Sequence, residues 1–361
     1  MQRVKVNEKS FAGQSIYVGI DSHKKSWKVS ILNREYEHKT MSSEPDPVQL
    51  ANYLKRKFPG ADYKAVYEAG FSGFGSQRRL KELGVDCMVV HPADVPTSEK
   101  DRQQKTDKAD SRKLAQMLRS GEFQGVDVPD EELEADRALL RQRYRLTKDL
   151  TRYKNRVKSL LFQFGIRIPD RFTDSQSRGW SKNYMDWLSE LPEADEGVRT
   201  VTRNYVEMGI QVRKQLAVVT QQIRNLAGKE RYRSNYALLV SVPGIGLVSG
   251  MCLLTQLGDV GRFRSLDELC SYVGLVPRTH GSGDRMVTGK LTRRGRKEIK
   301  IMLIEAAWVA VRQDPAMMAR FNELKKRMNG NKAIIRIAKN LLGRIRHILK
   351  HQTAYETAVI K

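Results

Sequence analysis

The sequence predicts an α/β domain followed by a chain built mainly from α-helices. Three observations carry this. Strand-like apolar runs alternate with amphipathic helical patterns from about residue 15 to 121. A long stretch from about 126 to 235 keeps helical spacing. Beyond 236, apolar and basic helical patterns flank the turn VPGIG (242–246). The expected division is therefore 1–125, 126–235 and 236–361.

In the first part, SIYVGID, the turn SHKK and SWKVSILN read as two short strands within 15–39. DPVQLANYLKRKF (46–58) is an amphipathic helix, with Asp46 as cap and Pro47 at its first position. DYKAVYEAG (62–70) is a strand ending near Glu68, and GFGSQRRLKELG (73–84) opens on glycines and becomes a helix. VDCMVVHP (85–92) is a strand and KTDKADSRKLAQMLRSG (105–121) a helix.

In the middle part, Leu139, Leu140, Leu146, Leu150, Val157, Leu160 and Leu161 fall on helical spacings. Between Arg141 and Lys158 there are eight basic residues and one acidic one. A second helical arm runs from about Val198 to Leu226, which suggests an antiparallel, coiled-coil-like hairpin. In the last part, VPGIG joins two apolar helical patterns, RSLDELCSYVGL is helix-like, and VPRTHGSGDRMVTGKLTRRGR reads as a polar loop. KEIKIMLIEAAWVAVR (297–312) is a strong amphipathic helix, and two further basic helices follow.

Composition narrows the function. The chain of 361 residues carries 65 basic and 41 acidic residues, a formal charge of +24. That is the footprint of a polyanion binder, nucleic acid first among the candidates. There is no apolar run of membrane-spanning length and MQRVKVNEKS lacks an apolar signal core, so a cytoplasmic protein is expected. Cys87, Cys252 and Cys270 are scattered and lack metal spacing, as reduced core residues do.

Four carboxylates stand out. Asp21 and Glu68 sit at strand ends, and Asp107 and Asp110 lie three apart on one helix face. Strand ends and helix starts on one sheet edge converge, and four oxygen donors there suit one or two Mg²⁺ ions. Each acid taken alone also suits a turn or a cap. His23 has no second histidine at ligand spacing and reads as a turn or phosphate-contacting residue, with Lys24 and Lys25 beside it. The glycines of VPGIG, Gly244 and Gly246, would let backbone N–H groups approach a phosphate, and the same motif makes a plain helix–helix turn. In HGSGDR, Ser282 stands between two glycines ahead of a basic stretch, so it could attack a phosphodiester, and the same GSG also suits a plain turn. Lys105, Arg112, Arg285, Arg293, Arg294 and Arg296 are candidate phosphate contacts.

GIDSHKKSW, YEAG, KTDKADSRKLA, VPGIG, YVGLVPRTHGSG and KLTRRGRKEIKIMLIEAA, in that order, resemble one family. It is the DEDD-type transposases and recombinases of insertion sequences, the IS110 type, with the related Piv/MooV DNA invertases. The resemblance implies a RuvC-like, RNase H-like first domain whose acids are Asp21, Glu68, Asp107 and Asp110. They would hold Mg²⁺ or Mn²⁺. It implies a C-terminal transposase domain with a helix-hairpin-helix-like element and Ser282 as nucleophile. It also implies double-stranded donor and target DNA, a structured guide (bridge) RNA, a homotetramer, and a place at the bacterial nucleoid. A competing reading on the same fold is a metal-dependent nuclease or Holliday-junction resolvase in which water attacks. An actin-like ATPase or sugar kinase would need a second glycine-rich phosphate loop, which the sequence lacks.

Overall fold

The computed structural model describes residues 10–96, 106–172, 180–192, 194–282 and 285–357. Its contacts divide the chain into two units, Met1–Asp130 and Glu131–Lys361.

The first unit is organised by a five-stranded sheet of order β3-β2-β1-β4-β5. Its strands are β1 (Ser15–Ser22), β2 (Trp27–Leu32), β3 (Glu37–Ser43), β4 (Asp62–Glu68) and β5 (Val85–Val90). β1 pairs antiparallel with β2 and parallel with β4; β2–β3 is antiparallel and β4–β5 parallel. This order and mixture of directions is the RNase H-like arrangement implied by the resemblance.

Alternation along the strands sorts the side chains onto two faces. One face carries Ile16, Val18, Ile20, Val29 and Ile31, all at most 1% exposed, packed with Leu50, Leu54 and Leu80. Those leucines belong to α1 (Pro47–Lys57) and α2 (Gly75–Glu82). The Asp46 carboxylate caps α1 by accepting from Val48 N at 2.7 Å, with Pro47 at the first turn. The opposite face carries Gly19, Ser30 and Val66 and receives α3 (Asp107–Ser120), whose Leu114 is buried against Val66 and Val90. Thr106 caps α3 at Ala109 N (3.2 Å), and Gly121, at φ 75°, ends it.

The sequence reading needs one correction here. Residues 15–39 were expected to hold two strands, and a third, β3, begins at Glu37. It lies at the sheet edge and reads EHKTMSS, with no buried residue, so it lacks the apolar alternation that marks β1 and β2.

Among its described residues, the second unit is helical except for one two-stranded ribbon and the connecting turns. It contains α4 (Glu131–Gln163), α5 (Lys182–Glu190), α6 (Glu196–Ala227), α7 (Glu230–Val240), α8 (Leu247–Leu257) and α9 (Leu266–Val273). The ribbon β6 (Pro277–Ser282) and β7 (Arg285–Leu291) follows, then α10 (Lys297–Gln313), α11 (Pro315–Lys325) and α12 (Gly330–His351).

α4 and α6 pack side by side, and their directions are opposed: Val157 and Leu161 share one core with Val198 and Val206, while Leu140 shares another with Val219 and Ile223. The first of these cores is closed by α5 through Tyr184 and Leu188, together with Trp180. A Cβ on Gly209 would lie 2.1 Å from the Trp180 ring, so α6 needs glycine where the indole lies against it. The second core continues into α8, α10 and α12 through Leu253, Leu303 and Leu341.

Arg137, 3% exposed, fixes this junction by donating to the carbonyls of Thr255 (2.7 Å) and Gln256 (3.4 Å) at the end of α8. A second correction falls on 277–291. That stretch was read as part of a polar loop and is a β-hairpin with Ser282 opposite Arg285. Its glycines and basic residues hide the strand signal. No described helix is long and apolar enough to cross a membrane.

Candidate active site

Asp21 is the penultimate residue of β1 and Glu68 the last of β4. Gly19 and Val66 are register partners, as are Ile20 and Tyr67. Counting by twos from Gly19 and Val66 puts Asp21 and Glu68 on the face that α3 covers. Asp107 and Asp110 lie in the first turn of that helix.

The helix comes unusually near the sheet. A Cβ on Gly19 would lie 2.0 Å from the Ser111 carbonyl oxygen and 2.5 Å from Ala115 N. Glycine at position 19 is therefore what lets the start of α3 settle over β1. A buried hydroxyl chain fixes it there: Ser111 Oγ lies 2.9 Å from Ser30 Oγ, which lies 2.8 Å from Thr40 Oγ1. Thr40 donates to Glu37 Oε1 at 2.9 Å, and Arg112 Nε stands 2.8 Å from Glu37 Oε2. The chain thus leaves α3 at Ser111, crosses β2 and β3, and returns to α3 at Arg112.

The site groups meet at this end of the helix. His23 Nε2 lies 3.2 Å from Asp21 Oδ2 and 3.5 Å from Asp107 Oδ2. One ligand atom each from Asp21, His23 and Asp107 falls within 4.8 Å of the others. Among the described residues, they are the one such group of three or more His, Cys, Asp or Glu side chains. Burial pushes the Asp21 carboxyl above its ordinary pKa; His23 opposes this, and the charges of Asp107 and Asp110 add to the rise. Asp110 therefore acts on Asp21 electrostatically. Glu68 is half-buried and stands outside the group of three.

The remaining sequence candidates fall in several places. Lys24 and Lys25 are exposed in the β1–β2 turn, which closes through His23 N donating to Ser26 O at 3.2 Å. Arg112 is committed to Glu37, an occupation the sequence did not reveal. Gly244, at φ 81°, faces α10: a Cβ there would lie 2.7 Å from Ala306 Cα. Gly246 donates its N–H to Ser249 Oγ at 2.9 Å. Both glycines thus have packing or capping roles inside the α7–α8 turn.

Arg293 and Arg294 are exposed, while Arg296 lies over the Tyr272 ring, 5.4 Å from its centroid. Ser282 and Arg285 are described by backbone alone, as ends of β6 and β7; their side chains lie outside the described residues. Lys105, at the start of the segment read as a helix, also lies outside them.

His23 is the group the sequence under-read. Its only local signal was a position two residues beyond Asp21, because its other neighbour, Asp107, comes from a distant helix.

An RNase H-like sheet with carboxylates and an imidazole gathered at the end of its central strand offers oxygen and nitrogen donors of the kind that divalent-cation phosphodiester chemistry uses. Residues 18–166 match the family model of the IS110-type DEDD transposases, described as "Transposase", and residues 236–322 match "Transposase IS116/IS110/IS902 family". Curated relatives agree. A "Putative transposase y4qE" of Sinorhizobium fredii is 31% identical over 67% of this chain and 57% of its own length. The "Transposase for insertion sequence element IS1533" of Leptospira borgpetersenii is 29% identical over 68% of this chain and 70% of its own. A "Putative transposase y4rJ" of S. fredii is 25% identical over 96% and 95%. The chain belongs to the IS110 family of DEDD transposases, enzymes of insertion sequences.

Proposed function

We propose that this transposase cuts and rejoins DNA through a covalent phosphoserine, using Ser282 as nucleophile and Asp21, Glu68, Asp107 and Asp110 to hold Mg²⁺ or Mn²⁺. The observation that carries the reading is the approach of Asp21 and Asp107 to one imidazole on the face bearing Glu68, in a chain of this family.

The donor set suits a divalent cation. Burial first, and then the charges of Asp107 and Asp110, raise the Asp21 carboxyl, and a cation among the acids would offset both. When bound, such an ion supplies positive charge that polarises the scissile phosphate. The protein's own groups do the rest. Ser282 Oγ forms a bond to phosphorus and its proton leaves to solvent. The phosphorus–oxygen bond to the deoxyribose breaks, and the departing oxygen takes up a proton. The serine ester keeps the bond energy, so attack by a DNA hydroxyl reseals the strand and restores Ser282 without ATP. Arg285, Arg293, Arg294 and Arg296 lie close in sequence to Ser282 and would balance phosphate charge.

The finer reading follows the family. Residues 1–125 would be the acid-bearing domain, 126–235 the helical region and 236–361 the serine-bearing domain. A structured guide RNA would pair with donor and target DNA, and the basic helices would hold both nucleic acids. The assembly would be a tetramer in which the acids of one subunit meet Ser282 of another, acting at the nucleoid in the cytoplasm.

The test of the acid site is Asp21→Asn with labelled donor DNA and co-purified RNA. Strand cleavage should be lost while DNA and RNA binding persist. Cleavage at the wild-type rate would remove the acid site from the reaction.

A further inference from the structure

We infer that His23 joins the carboxylates as a nitrogen ligand of the divalent cation and sets a preference for Mn²⁺ over Mg²⁺. This rests on reading Asp21 and Asp107 as cation ligands. It adds a nitrogen donor to a set that the four acids would make all oxygen.

The spacing of the donor atoms comes first. His23 Nε2 stands 3.2 Å from Asp21 Oδ2 and 3.5 Å from Asp107 Oδ2. In an octahedral site with bonds of roughly 2.1 Å, adjacent ligand atoms stand roughly 3.0 Å apart. His23 Nε2 thus stands near that spacing from each carboxylate oxygen, and the three ligand atoms lie within 4.8 Å of one another. The same distances fit hydrogen bonds from an imidazolium to two carboxylates, and the test below separates the two.

The placement of the imidazole comes second. His23 occupies the turn that immediately follows β1, and its side chain is 49% exposed. Asp21 is tied to the strand and Asp107 to the start of α3. The histidine is thus more open to solvent than Asp21, at 22%, while Asp107 is itself 58% exposed. Small rotations of its side chain can adjust Nε2 without moving the sheet.

The chemistry decides which ion gains. Mg²⁺ is a hard cation that binds through carboxylates and retains water, so a nitrogen donor adds little to its affinity. Mn²⁺ accepts carboxylates equally well and, as a first-row transition ion, also gains from imidazole. Carboxylates joined by one imidazole therefore discriminate in favour of Mn²⁺, where carboxylates alone would discriminate weakly.

The experiment uses the full chain and Mn²⁺ alone as probe, without nucleic acid. Bound Mn²⁺ is followed by electron paramagnetic resonance, and nitrogen coordination by the ¹⁴N modulation of its spin echo. Mg²⁺ affinity is read by competition. The wild type should show nitrogen modulation and prefer Mn²⁺ by at least about tenfold. His23→Ala should lose the modulation and about tenfold in Mn²⁺ affinity, with Mg²⁺ affinity within about twofold of wild type. Asp21→Asn should lose both ions. Modulation and preference unchanged in His23→Ala, with binding lost in Asp21→Asn, would overturn the role of His23 and leave the carboxylate site standing. Wild-type Mn²⁺ binding by Asp21→Asn would overturn the cation site and this inference with it.

Discussion

Gly19 of β1 lies directly beneath the carbonyl of Ser111 in α3, so close that a Cβ on Gly19 would come within 2.0 Å of that oxygen. The atom in the way is backbone, so the helix must move rather than a side chain. Gly19→Ala should lift the first turns of α3, carry Asp107 away from Asp21, and cost about 1–3 kcal/mol or more in stability. Divalent-ion binding should fall with it. Gly75→Ala is the control, since a Cβ there meets nothing within 4 Å. Thermal unfolding and Mn²⁺ titration of the two variants check this.

The pair Ser30 and Ser111 should behave as one unit. Their hydroxyls meet at 2.9 Å in a buried setting, and each is less than 1% exposed. Ser30→Ala leaves Ser111 Oγ with the Lys108 carbonyl (3.2 Å), and Ser111→Ala leaves Ser30 Oγ with Thr40 Oγ1 (2.8 Å), so each single variant should cost about 0.5–1.5 kcal/mol. The double variant should cost less than the sum of the two singles. A double-mutant cycle in denaturant measures the coupling; strict additivity would mean the hydroxyls do not hold the helix.

Much of this was legible in the sequence, and the exceptions share a cause. β1, β2, β4 and β5 announce themselves because buried strands are apolar, as in Ile16, Val18 and Ile20. The edge strand β3 and the β6–β7 ribbon are polar, and periodicity does not mark them. α5 lies between the two helical arms and was not expected from the sequence, although Ser181 caps it and Tyr184 and Leu188 bury its inner side. The four acids could be named one by one. That His23 faces Asp107, that Arg112 is held by Glu37, and that Gly244 packs on Ala306 are facts of tertiary structure with no local signature.

The C-terminal helices should be acid-sensitive through Asp314. One oxygen of this fully buried carboxylate caps α11 at Ala316 N (2.8 Å) and Met317 N (3.2 Å); the other takes Arg344 at 2.9 Å and the Tyr355 hydroxyl. Burial would push the carboxyl up, but Tyr355, the backbone amides and Arg344 outweigh it and hold it below the ordinary range. Its stabilisation is thus complete above the unfolded value of about 4 and is lost as pH falls through the depressed folded value. The wild-type melting temperature should drop more steeply below pH 4 than that of Asp314→Asn. The variant should also be less stable at pH 7. Parallel pH profiles would remove Asp314 as the cause.

Charge governs nucleic-acid affinity in this account. Eight basic residues between Arg141 and Lys158, within a chain of net charge +24, should release many counterions on binding. Affinity for DNA or RNA should fall about a thousandfold between 50 and 200 mM salt. Fluorescence anisotropy across that range checks this; a flat response would exclude the basic helices as the contact surface.

The central claim is strand transfer through Ser282, and the most direct measurement is a covalent protein–DNA adduct. End-labelled donor DNA is incubated with the protein, its co-purified RNA and Mg²⁺ or Mn²⁺, then resolved under denaturing conditions. The wild type should yield label that migrates with the protein and maps to a peptide containing Ser282. Ser282→Ala and Asp21→Asn should yield none. DNA cut by the wild type without any adduct, or an adduct that survives Ser282→Ala, would contradict the account and favour attack by water or by another residue.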